Sequence, residues 1–158
     1  MKSYKAPWSI SLIVMTSLAS VICVGVSLDL ARHGRALEAL LPLAIVCGGL
    51  LFIIRGYTIT GDAILVHRLF WSTRLPLLGL QSAEVAPDIM RGGFRLWGNG
   101  GLFSFTGWFR NSALGVYRSF VTDPHRTVVL RYSTRRVVLS PSSPDEFVHE
   151  VVISRQAA

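Results

Sequence analysis

Residues Trp8 to Leu28 read WSISLIVMTSLASVICVGVSL, twenty-one positions without a charged side chain. A helix rises about 1.5 Å per residue, so one of that length crosses a hydrocarbon layer of about 30 Å. The stretch therefore reads as a transmembrane helix. A second apolar run lies at about 37–54 and reads as a second span if Leu37 and Glu38 sit at the interface. Pro42 falls near its start, where a first-turn proline forfeits no helical hydrogen bond. About ten residues, Asp29 to Glu38 with Gly34 as the turn residue, separate the two runs. So short a link predicts a two-helix transmembrane hairpin with both chain ends on one side.

Lys2 and Lys5 precede the first run, and Ser17-Leu18-Ala19 resembles the cleavage site of a signal peptide. The apolar run continues through Val21, Ile22, Val24 and Val26, longer than a signal core, so a retained anchor is expected. On the side of the chain ends stand Lys2, Lys5, Arg55, Arg68 and Arg74, against Arg32 and Arg35 in the connecting loop. That bias places both termini in the cytoplasm, with Trp8 and Tyr57 at the same interface.

Composition supports the division at residue 55. Of the 158 residues, 51% are apolar and 16% charged, a high apolar share whose excess is concentrated in the first third. The net charge of +7 suggests an anionic partner, yet residues 56–158 hold eleven Arg against seven Asp or Glu. Nucleic acid is accordingly not expected as a partner. Cys23 and Cys47 are the only cysteines and both fall in the apolar runs, which excludes a disulfide framework or a cysteine metal cluster.

From Gly56 the periodicity changes to short alternating stretches parted by turn signals, the pattern of an antiparallel β domain. Strands are expected at 57–60, 63–69 and 73–77, with Pro76 at a strand end, and one more short strand within 78–85. Further strands are expected at 113–122, 127–133 and 137–139, the last two as a hairpin around Thr134-Arg135. Ser143-Pro144-Asp145-Glu146 joins an N-cap serine, a proline at the first helical position and a glutamate placed for a capping box. A helix over about 144–154 follows, with Phe147, Val148, Val151 and Val152 on one stripe able to cap a curved sheet.

Several motifs resemble the bacterial PH-like (pleckstrin-homology-like) domains of small membrane proteins. They are Phe94-Arg95-Leu96-Trp97-Gly98-Asn99-Gly100-Gly101-Leu102-Phe103, Thr106-Gly107-Trp108-Phe109, Gly115-Val116-Tyr117, Val138-Leu139-Ser140-Pro141 and Asp145-Glu146-Phe147-Val148. The resemblance covers roughly residues 56 to 154. It implies a mostly β PH-like barrel with a C-terminal capping helix, and a role in binding or scaffolding. It also implies a bacterial inner-membrane protein.

Glycines between Gly92 and Gly107 suggest a phosphate loop, but residues 56–158 contain no lysine and lack the strand–loop–helix context of a dinucleotide site. Turn geometry in a β domain is the expected role. Trp97, Phe103, Phe105, Trp108 and Phe109 are more large rings than a glycine-rich loop buries, so some are expected to meet lipid or a partner. Arg91, Arg95, Arg110 and Arg118 bracket them and suit an anionic headgroup. The possible interaction surface is therefore Arg91, Arg95, Trp97, Phe103, Trp108, Arg110 and Arg118. His33, His67, His125 and His149 have no metal spacing, and no catalytic set can be named, so neither a metal nor a cofactor is expected. Three functions follow in order. The first is a scaffold that docks a protein partner or a second copy at the membrane face. The second is a headgroup reader, and the third a membrane enzyme without assignable residues.

Overall fold

The computed structural model describes residues 1–156. Strand β1 (Lys2–Lys5) precedes helix α1 (Ile10–Arg32) and helix α2 (Ala36–Leu50). Three strands follow, β2 (Gly56–Ile59), β3 (Ala63–His67) and β4 (Ser72–Pro76). Next come β5 (Leu80–Val85), β6 (Phe94–Gly100), β7 (Phe105–Asn111), β8 (Gly115–Val121), β9 (Val128–Tyr132) and β10 (Arg136–Leu139). Helix α3 (Pro144–Gln156) ends the described chain.

The strands form two sheets, ordered β1-β2-β3-β4 and β5-β9-β10-β8-β7-β6. The closed barrel expected from the sequence is not formed. The turn at Leu77–Gly79 carries the chain from β4 into the second sheet instead of pairing β4 with β5, and Gly79 supplies the positive φ of 81° that this turn needs. The sheets instead face each other across a core of Tyr57, Ile59, Ile64, Val66, Phe120, Leu130, Val137 and Leu139. α3 fills the open side, burying Phe147 and Val151. Its Glu146 turns to Lys2 of β1, 3.4 Å away, so the carboxylate expected to cap the helix ties the first strand to the last helix.

A buried polar knot joins the layers. The Tyr57 hydroxyl donates to the carbonyl of Phe120 (2.7 Å) and accepts from the Ser140 amide (3.2 Å), while Ser140 Oγ accepts from the Thr122 amide (2.8 Å). Burial pushes the Tyr57 phenol up to about 12, so it stays a neutral donor over the whole physiological range.

Strand β1 was not legible as a strand. It lies in the tail ahead of the first apolar run, yet it pairs antiparallel with β2, Lys2 opposite Ile59 and Lys5 opposite Gly56. Since β1 leads into α1 and β2 follows α2, the helical pair leaves the sheet and returns to the same place. Gly34, at φ 77°, closes the turn between the helices, and the Arg35 amide bonds back to the Leu30 carbonyl at 2.9 Å. The buried positions of the pair are mostly small (Thr16, Ser27, Ala39 and Gly49), as close-packed apolar helices require. Large side chains such as Val14, Leu18, Val21, Leu41 and Ile45 point outward.

Among the described residues only α1, at 23 residues, is long and apolar enough to cross a membrane. The second span expected at 37–54 is corrected: α2 has 15 residues, about 22 Å at the helical rise of about 1.5 Å, because the chain leaves the helix after Leu50. Pro42 lies in the second turn of α2, not the first, so the carbonyl of Glu38 loses its helical partner.

Candidate functional site

The glycine-rich stretch, expected as turns, forms the β6–β7 hairpin. Gly98 and Gly107 face each other across it at φ 111° and 139°, and a Cβ on Gly107 would stand 2.1 Å from the carbonyl oxygen of Trp97. Two backbones therefore approach where only glycine fits. The tip of this hairpin holds the bases of both helices. Thr16 Oγ1 donates to the Gly101 carbonyl (3.2 Å) and accepts from the Phe103 amide (3.0 Å), and Ser104 Oγ donates to the Phe52 carbonyl just beyond α2 (2.9 Å). A Cβ on Gly49 would collide with Leu102, so the glycine lets α2 lie on the loop.

Phe103, expected on an interaction surface, is buried in this joint with its ring edge-on to Trp8 at 6.2 Å. The other candidates are divided by the sheet. Cross-strand partners share a face, and Trp97, Trp108 and Arg118 stand in one register row, with Phe94, Arg110 and Val116 in another on the same face. Trp97 is 79% exposed and Trp108, Phe94 and Val116 are exposed beside it. Arg95 stands opposite Phe109 on the reverse face, and there it lines a cleft of about 800 Å³ with Arg91, Met90, Phe105, Phe109 and the Asp88–His125 pair (2.7 Å). The four arginines do not converge on one anion. A bulge between Arg95 and Trp97 turns the strand there.

A different arginine is the most unusual charge in the molecule. Arg68, directly after β3, is 6% exposed, and its Nη1 has no hydrogen-bond partner. Its guanidinium lies 5.6 Å from the Phe52 ring, 5.6 Å from Trp71 and 5.2 Å from Phe120, while Arg118 sits over the same Phe120 ring at 4.9 Å. Burial, and then the charge of Arg118, pull the Arg68 pKa below its ordinary value. Cation–π contact offsets part of the burial cost, but no carboxylate stands within 4.0 Å of Arg68 or Arg118 among the described residues. Sequence reasoning placed Arg68 only as a residue near the membrane. Its burial arises from a non-local meeting with Phe120, although the run His67-Arg68-Leu69-Phe70-Trp71 carries the aromatic and basic mixture of an interface.

A neighbouring cleft of about 530 Å³ is lined by Ser3, Lys5, Arg55, Thr58, His67 and Arg68, among others. His67 is held by Thr58 Oγ1 at its Nε2 (2.8 Å) and by Ser72 Oγ at its Nδ1 (3.0 Å). Lys5 ends β1 and Arg55 directly precedes β2, and neither has an acidic partner among the described residues. No group of three or more His, Cys, Asp and Glu able to hold a metal occurs among the described residues.

No match is found among curated proteins or among solved structures. The family comparison does give one, and it falls on the part of the chain that builds both sheets after the helices and ends within α3. Residues 55–154 match the bacterial PH domain, and the chain belongs to that family.

Proposed function

We propose that this protein is a membrane-anchored binding module without catalytic activity. Helix α1 anchors it in the bilayer, and its β6–β7–β8 face docks a protein partner or a second copy at the cytoplasmic surface. The observation that carries this reading is the exposed face of Trp97, Trp108 and Phe94, on the same hairpin that grips the bases of α1 and α2, with exposed Val116 of β8 beside them. Exposed aromatic clusters of this kind mark interaction sites, and aromatic residues with arginine dominate binding energy at protein interfaces.

Membrane residence is supported by the outward apolar faces of both helices and by the return of the chain to its starting strand. Removal of a leader up to Ala19 would also take β1 out of its sheet, which favours a retained anchor. The basic residues Lys2, Lys5, Arg55, Arg68 and Arg74 lie on the domain side and favour its cytoplasmic location. The four-arginine headgroup reader is less favoured, because Arg91 and Arg95 line a cleft on one side of the sheet while Arg110 and Arg118 stand on its other face.

A photo-crosslinking residue in place of Trp108 tests this in native membranes. A discrete adduct with a second protein or a second copy is expected, and the same probe in place of exposed Thr134, on the β9–β10 turn, should give none. Uncrosslinked monomer alone, from probes at both Trp97 and Trp108, would remove the docking face.

A further inference from the structure

We infer that the free edge of β6 takes an extended, acidic segment of a protein partner as an added strand. This inference rests on the docking face proposed above and names the kind of partner that face receives. β6 ends its sheet and is hydrogen-bonded on one side only, to β7, and Phe94 to Gly98 are exposed. An open edge is a template for another chain, and folded proteins ordinarily blunt it with lysine, proline, shortness or a cover. The other three edges are blunted in those ways. β1 is four residues long and carries Lys2 and Lys5, β4 ends in Pro76, and β5 lies against α3, whose Arg155 side chain donates to the Gln81 carbonyl. β6 has seven residues and neither lysine nor proline. Its bulge between Arg95 and Trp97 divides the edge, so the added strand is short.

The flanks of β6 define the chemistry of that strand, because successive side chains of an added strand point to opposite faces of the sheet. On the face of Arg95 and Phe109 lies the cleft of about 800 Å³. Arg91 and Arg95 have no acidic partner among the described residues, and the acid lining the cleft, Asp88, is taken by His125. Arg95 is held ready: its Nη1 donates to the Gly98 carbonyl at 3.0 Å, and its guanidinium lies over Gly100, where a Cβ would stand 3.1 Å from it. Arg95 also borders a second cleft of about 550 Å³ between β6 and α2, walled by Ile45, Phe52, Leu96 and Leu102. A segment that alternates acidic with apolar residues therefore suits both clefts, and charged pairs of this kind fix register and partner choice. A second copy's β6 does not fit, since it brings another arginine and no acid to the same edge.

The test titrates a dye-labelled octapeptide of alternating valine and glutamate with the full chain in detergent micelles and reads fluorescence anisotropy. Saturable binding is expected, about tenfold tighter than that of the matching valine–lysine peptide. Arg91→Glu combined with Arg95→Glu should reverse that preference, a result that loss of folding cannot produce. N-methylation of every second peptide residue removes the hydrogen-bond donors along one edge of the peptide strand. In one of the two alternations it should weaken binding about tenfold, and in the other by less than about threefold. Equal effects of the two alternations, equal binding of the two peptides by wild type, or an unreversed preference in the double variant overturns the added strand. Crosslinking from Trp108 is read alongside. An adduct there without peptide binding overturns the β6 edge alone, and the absence of both overturns the docking face with it.

Discussion

Membranes washed with alkaline carbonate are expected to retain the wild-type chain and to lose the chain carrying Val21→Arg. Val21 lies at the middle of α1 and is 68% exposed on its outward side, so an arginine there finds neither partner nor water if lipid surrounds the helix. A charge at the centre of a membrane helix costs about 2.5–3.5 kcal/mol on insertion, a factor of roughly a hundred in partition. Val21→Leu should behave as wild type. Were Val21→Arg retained as well as wild type, lipid could not be the solvent of this face.

The second large effect lies in the domain. Phe147→Ala should lower the stability of the full chain in detergent micelles by about 3–5 kcal/mol, read from the denaturation midpoint by tryptophan fluorescence. Phe147 is fully buried, and its ring meets Tyr4 edge-on at 5.1 Å and Tyr57 at 6.2 Å. One side chain of α3 therefore packs against the first strand of the chain and the first strand after the helices, and its loss opens a cavity between both sheets and the helix. Exposed His149→Ala on the same helix should change stability by less than about 0.5 kcal/mol. A similar small effect from Phe147→Ala would mean that α3 does not close the core.

Those two residues also mark what was legible in the sequence. α1 and α3 were, because an uncharged run and a capping signature are local, and so were β2, β3, β4 and the β9–β10 hairpin, whose alternation reflects one buried face. The PH-like family was legible in the spacing of glycine and aromatic residues. β1 was not, since the four residues of the lysine-bearing tail show no period and owe their strand to pairing with β2. β6 and β7 escaped because their glycines serve backbone approach at Gly98 and Gly107, and because exposed Phe94, Leu96 and Trp97 on an edge strand break the usual inside–outside alternation. Open sheets in place of a barrel follow from the turn after β4, a property of pairing that no local signal reports.

The candidate surface was half legible. Trp97, Trp108, Arg110 and Arg118 share a face as the cluster suggested, but Phe103 is consumed in gripping α1, and the bulge after Arg95 separates Arg91 and Arg95 from the rest. Arg68 gives no sign of its burial in sequence, because its cage draws Phe52, Trp71 and Phe120 from three separate segments.

The protein's own cysteines offer the most direct check on the membrane account. Cys23 and Cys47 are the only two, both lie in the helical pair, and Cys47 is exposed on the protein's surface. Maleimides react with the thiolate, a species that forms in water and not in hydrocarbon. In intact native membranes Cys23, near the middle of α1, should not be alkylated until the bilayer is dissolved in denaturing detergent. Prompt alkylation of Cys23 in those membranes would place α1 in water and contradict the account.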